Sequence, residues 1–225
     1  MKNLLYKEFN LSVHPLTYLF VALMALSGLS PVFPTFVPLL YFTACYTFLF
    51  IGMNKTTTTN DLLYTCMLPI KREGVVKARV FSTTILQLIE LVLVFLFFAI
   101  NRFIFVKNMS SDDLKEIAWI TLDQGIVLAG VYFICFGIYD LIYMPWFYKN
   151  GKSIIANMFV GMLVTIIIGA ALTIIPHFVG ESIITVKGGN LILQFGLLLA
   201  AIGFWICSKV LVIKISTKNL VNLDF

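Results

Sequence analysis

From Ile154 to Ile175 the chain carries no charged side chain, and this run is one of six long, mostly apolar runs. The spans cover about residues 16–33, 36–53, 80–105, 117–143, 154–175 and 191–213. A helix needs about 17–25 mostly apolar residues to cross hydrocarbon, and each run is near that length. A membrane barrel is excluded because these runs are continuously apolar instead of alternating with period two. Hydrophobic residues make up 60% of the sequence and charged residues 12%, against about 45–50% and about 25% in soluble domains. The expectation is an all-α membrane protein with six transmembrane helices in a single transmembrane domain covering 1–225.

Orientation follows from the basic residues, because cytoplasmic loops carry the excess of Lys and Arg. With the N-terminus inside, twelve of the sixteen fall on the inner side, leaving only Arg102, Lys107, Lys115 and Lys187 outside. This predicts a multi-pass protein of the cell membrane with both termini cytoplasmic. The net charge of +5 is then placed for a membrane, not for nucleic acid. Cys45, Cys66, Cys135 and Cys207 lie far apart, three of them inside apolar runs, so no disulfide or metal framework is implied.

Two segments lie outside the spans with an organisation of their own. Residues 1–15 place Leu4, Leu5 and Phe9 on one side at helical spacing, with Tyr6 near the edge. Lys2, Lys7, Glu8 and Asn10 fall largely on the other, which predicts an interfacial amphipathic helix ended by Pro15. Residues 54–79 are the longest inner connection. There KTTTTN offers capping oxygens, Asp61 starts a short turn carrying Leu62, Leu63, Cys66 and Met67, and Pro69 ends it. Lys71 to Arg79 then has helical composition and is expected to run straight into the third span.

Enzyme chemistry finds no support in the motifs. Gly151-Lys152-Ser153 resembles the end of a phosphate-binding loop, but Trp146 stands where the pattern needs a glycine. Only two histidines occur, His14 near one face and His177 near the other, and no HExxH helix is present.

Polar residues inside the spans are the better leads, since ionisable groups at that depth are costly. Glu90 falls at the middle of the third span. It is either functional or a protonated carboxyl hydrogen-bonded to Gln87 or to a tyrosine or threonine of a neighbouring helix. Arg102 and Asp123 flank the outer loop between spans three and four and are expected to form a structural ion pair. Asp140, near the inner end of span four, is read as a solvated boundary charge within reach of Lys149, Lys152 or Arg79. Tyr143, Trp146, Phe147 and Tyr148 fit an interfacial aromatic belt. Gly161, Thr165 and Gly169, and separately Gly196 and Ala200, have the small-residue spacing that lets membrane helices approach closely, within one subunit or between two.

MKNLLYKEFNLSVHPLTYLF and NDLLYTCMLPIKREGVVKARVF together resemble the opening and the span-two to span-three loop of the permease subunits of ABC-2-type transporters. The family's acidic residue, apolar turn, Leu-Pro step, basic residues and Lys before the third span are matched by Asp61, Leu62 to Met67, Leu68-Pro69, Lys71-Arg72 and Lys77. The small size is most similar to the bacterial exporters of amphipathic peptides such as phenol-soluble modulins and bacteriocin-like toxins. The resemblance implies that the turn is a coupling helix docking on a separate ATPase subunit. Leu62, Leu63, Tyr64 and Met67 would fill its apolar groove while Lys71 and Arg72 pair with acidic rim residues. It implies that the N-terminal helix with Leu5, Tyr6 and Phe9 is a connecting helix. It further implies a second permease copy or paralogue as partner, no cofactor on this chain, and ATP with Mg²⁺ held by the ATPase.

The alternatives are a proton-coupled secondary transporter using Glu90, and a membrane protein with no transport role. Against the first stands the lack of matching Gly/Pro-broken helices in the two halves. Against the second stands an apolar loop turn that would be left exposed.

Overall fold

A computed structural model describes residues 2–12, 15–26, 67, 70–104, 125–150, 154–179 and 191–222. Every element among them is helical. Helix α1, Lys2–Lys7, passes into a π-helical turn over Glu8–Ser12, and α2 follows at Pro15–Leu26. The long helices are α3, Arg72–Ile104; α4, Gly125–Asn150; α5, Ile154–Val179; and α6, Leu191–Val221.

Three helices are long and apolar enough to cross a membrane, within 72–100, 126–149 and 191–221, while α5 has a shorter apolar stretch at Phe159–Leu172. The chain is therefore a membrane protein. Of the first two expected spans, the described residues include only Pro15–Leu26, and 36–53 lies outside them.

Helix α4 is the most buried of the three and packs most extensively against α6, then α5. Its approach to α6 is close because Gly137 has no side chain. A Cβ there would lie 2.9 Å from Ser208 Oγ and 3.0 Å from a Phe204 ring carbon. On the α5 side, Gly161 and Gly169 meet Tyr139 and Cys135, so that small-residue stripe serves packing within the chain. Gly196, by contrast, is exposed with nothing near it, and Ala200 is exposed as well.

The helix ends differ from the expected spans. Helix α4 continues through Pro145 to Asn150 where a connecting turn was expected from Met144. The reason is packing: Tyr143, Phe147 and Tyr148 are buried in the core instead of forming an interfacial belt, and only Trp146 of that group is exposed. Tyr139, Tyr143, Phe147 and Tyr148 form a chain of ring contacts along this end of the helix. Helix α6 likewise runs eight residues past Ile213, burying Ser216 and Leu220, and Asn219 Nδ2 donates to the Pro145 carbonyl at 2.8 Å.

Lys71 joins directly to α3, a single helix of 33 residues, or about 50 Å at 1.5 Å per residue. Whatever moves its first turn therefore acts on a rigid rod long enough to reach through hydrocarbon.

Candidate functional site

Three helices bring together a closed ring of buried polar groups. Gln87 of α3, Asp140 of α4 and Lys209 of α6 are each under a tenth exposed. Lys209 Nζ forms an ion pair with Asp140 Oδ2 and donates to Gln87 Oε1 at 2.7 Å. Gln87 Nε2 in turn donates to the same Asp140 oxygen at 3.0 Å. The ammonium also stands 5.3 Å from the centre of the Trp205 ring. One positive and one negative charge cancel, and every member donates to or accepts from another, which is the condition under which a buried network is tolerable.

Helices α3 and α6 run antiparallel, since Arg72 meets Leu220 and Val221 at one level while Gln87 meets Lys209 at another. Continuing past the ring, the next turn of α3 brings Glu90 and the next turn of α6 brings Trp205, about 4.5 Å and about 6 Å further along. Both are buried. Neither carboxyl oxygen of Glu90 has a hydrogen-bond partner among the described residues, and neither has the Trp205 Nε1 donor. Gln87, the expected partner of Glu90, is committed to Asp140 and Lys209 instead. A satisfied ion-paired layer is thus followed, one turn on, by a layer in which an acid and an indole donor are unmatched, and burial makes each unmatched group costly.

A second set of polar contacts lies at the end of α3 that follows the loop. Arg79 Nε donates to Glu8 Oε2 at 3.1 Å, with both residues almost fully buried. The Arg79 guanidinium also covers the Phe147 ring at 5.5 Å. Seven residues earlier, Arg72 donates to the carbonyls of Leu220 and Val221, both at 2.9 Å. These are last-turn acceptors that α6 cannot satisfy internally. The start of α3 is therefore tied to the N-terminal helix, to α4 and to the end of α6.

These positions correct several expectations. Asp140 is no solvated boundary charge: it is buried, and its partner is Lys209, not Lys149, Lys152 or Arg79. Glu8, expected on the polar side, turns inward to Arg79, and Lys7 beside it is mostly buried at 3.9 Å from the Glu8 carboxylate, while Tyr6 is 70% exposed. An α-helical wheel already allows this, because Glu8 follows Leu4 by four residues and Leu5 by three and so lies on their face. Leu5 and Phe9 are half-buried, Phe9 against the core. Arg72, expected to meet an ATPase rim, is engaged with α6, whereas Met67 and Lys71 are exposed. Asp61, Leu62, Leu63, Tyr64, Leu68, Pro69 and Asp123 lie outside the described residues, and the Arg102 side chain is not described, so their expected roles have no geometry here.

The member that sequence reasoning missed is Lys209. It was counted with the inner-side charges although it precedes the end of its apolar run by four residues, and that position was the available signal. Among the described residues no group of three or more His, Cys, Asp or Glu could hold a metal ion.

A family model for a domain of unknown function, DUF8123, matches residues 115–179. That stretch includes Asp140, α4 and α5, and excludes Gln87, Glu90 and Lys209. No curated protein and no solved structure matches the chain.

Proposed function

We propose that this protein is the membrane-spanning permease subunit of an ATP-binding cassette exporter, coupled to separate ATPase subunits through residues 54–79. Support comes from the buried Glu8–Arg79 pair. A loop that receives force from a partner must hand it on through something stiffer than itself. Arg79 passes displacement at the foot of α3 to the N-terminal helix, and Arg72 passes it to α6. In this role the N-terminal helix is the connecting helix, both termini are cytoplasmic, and two permease chains enclose the path. The cargo is an amphipathic peptide or another hydrophobic compound, and ATP and Mg²⁺ are bound by the partner alone. Purification of the full chain from its native membrane is the test. A stoichiometric ATPase should come with it and be lost from Leu63→Asp while the helical content stays unchanged. A clean dimer of this chain with no ATPase would overturn the proposal.

One observation favours a second reading, a proton-coupled transporter. Glu90 is buried, close to the middle of α3, and has no hydrogen-bond partner among the described residues, as a group that must take up and release a proton requires. Here the expected result is transport driven by a pH gradient in vesicles without ATP, abolished in Glu90→Gln.

A further inference from the structure

We propose that the groove between the first turns of α3 and the last turns of α6 is a binding site for an anionic glycerophospholipid of the surrounding bilayer. The groove has a volume of about 460 Å³ and is lined by Glu73, Lys77, Val210, Ile213, Lys214 and Thr217. Nothing about it depends on which transport reading holds, since it requires only that α3 and α6 lie in a membrane.

The lining charges sum to one net positive. Lys77 pairs with Glu73 one turn earlier on the same helix, with both side chains close to half exposed. Lys214 is exposed and has no acidic partner among the described residues. Thr217 lines the groove as well, with its hydroxyl oxygen buried. A phosphodiester carries one negative charge and only accepting oxygens, so it complements an unpaired ammonium with a second ammonium close by.

Depth and shape point to a lipid instead of free phosphate. Lys77 is about 8 Å from the start of α3, and Lys214 about 10 Å from the end of α6, taking 1.5 Å per residue. These are the helix ends where an interfacial headgroup resides. Along α6, Thr217, Lys214, Val210 and Ile206 follow one another at intervals of three or four residues and so share one face. Val210 is 61% exposed and Ile206 53% exposed. The face therefore changes from cationic to apolar over about two turns, matching a phosphate followed by acyl chains. Basic pockets between membrane helices are the usual form of an anionic-lipid site.

The experiment is native mass spectrometry of the full chain released from nanodiscs containing equal amounts of phosphatidylglycerol and phosphatidylcholine. Phosphatidylglycerol should be retained over phosphatidylcholine, and Lys214→Gln should weaken its retention about fivefold, the effect of one interfacial lysine. Lys218→Gln, an exposed charge outside the groove, should not. Glycerol phosphate in millimolar excess should leave the bound lipid in place, because it lacks the chains that Val210 and Ile206 receive. Equal retention of the two lipids, equal loss in the Lys218 variant, or displacement by glycerol phosphate would each overturn the assignment. Both variants change exposed side chains, and their unfolding temperatures in detergent confirm that a loss of lipid is not a loss of fold.

Discussion

Lys209 of α6 and Asp140 of α4 form a buried ion pair inside helices long and apolar enough to cross a membrane, and Gln87 of α3 closes the ring by bonding to both. Three separate helices are thereby fixed in one register, because sliding any of them by a turn would separate a charge from its partner.

Removing one charge should cost far more than removing both. Lys209→Met leaves Asp140 without its cation and should destabilise the fold by about 3–5 kcal/mol. The double variant Lys209→Met/Asp140→Leu should recover most of that loss. Thermal unfolding in detergent measures both, and a double variant no more stable than the single one would show that the ring does not act as a charge pair.

Glu90 should behave in the opposite way. Its oxygens have no hydrogen bond among the described residues, so Glu90→Leu should raise stability by about 1–2 kcal/mol by removing an unmatched buried polar group. A fall in unfolding temperature would reveal a stabilising partner. If transport is lost in the same variant while stability rises, Glu90 is kept for activity at the expense of the fold.

The glycines of α4 and α6 should separate cleanly. A methyl group at Gly137 collides with Ser208 and Phe204, and Gly137→Ala should cost about 1–3 kcal/mol as the α4–α6 contact is forced open. Gly196→Ala meets nothing within 4 Å and should be neutral or slightly stabilising. Equal effects in thermal unfolding would contradict the tight α4–α6 approach.

Arg72 should control the last turn of α6. Arg72→Gln removes a charged donor from the Leu220 and Val221 carbonyls. Amide exchange over 216–221 should quicken about tenfold, equivalent to about 1.4 kcal/mol for a charged hydrogen bond. Exchange in the middle of α6 should not change. Unaltered exchange at the terminus would mean that the cap contributes nothing.

The helical, membrane-spanning character was legible in the apolar runs, and the run of α3 from Lys71 onward could be read from composition. What escaped was relative placement. Asp140 and Lys209 are 69 residues apart, and nothing local to either says that α4 and α6 are neighbours or in which register. Lys209 looked like an inner-side charge because a lone cation near the end of a span usually snorkels to the interface. Glu8 was misassigned because a charged residue was read as solvated although it shares a helix face with Leu4 and Leu5, and the cation that makes its burial tolerable, Arg79, is 71 residues away. The aromatic end of α4 was misjudged because a belt and a core use the same residues, and only packing distinguishes them. The turn at 61–69, read from its resemblance, lies almost wholly outside the described residues.

The closed ring also imposes an order on biogenesis. Ribosomes deliver Gln87 and Asp140 to the membrane before Lys209 has been made, so an intermediate holding only α3 to α5 carries an acid with no cation to meet it. Arrival of α6 supplies the cation that Asp140 lacks until then. A chain stalled before α6 leaves Asp140 without its partner, a difference that sets it apart from a chain in which the ring has closed.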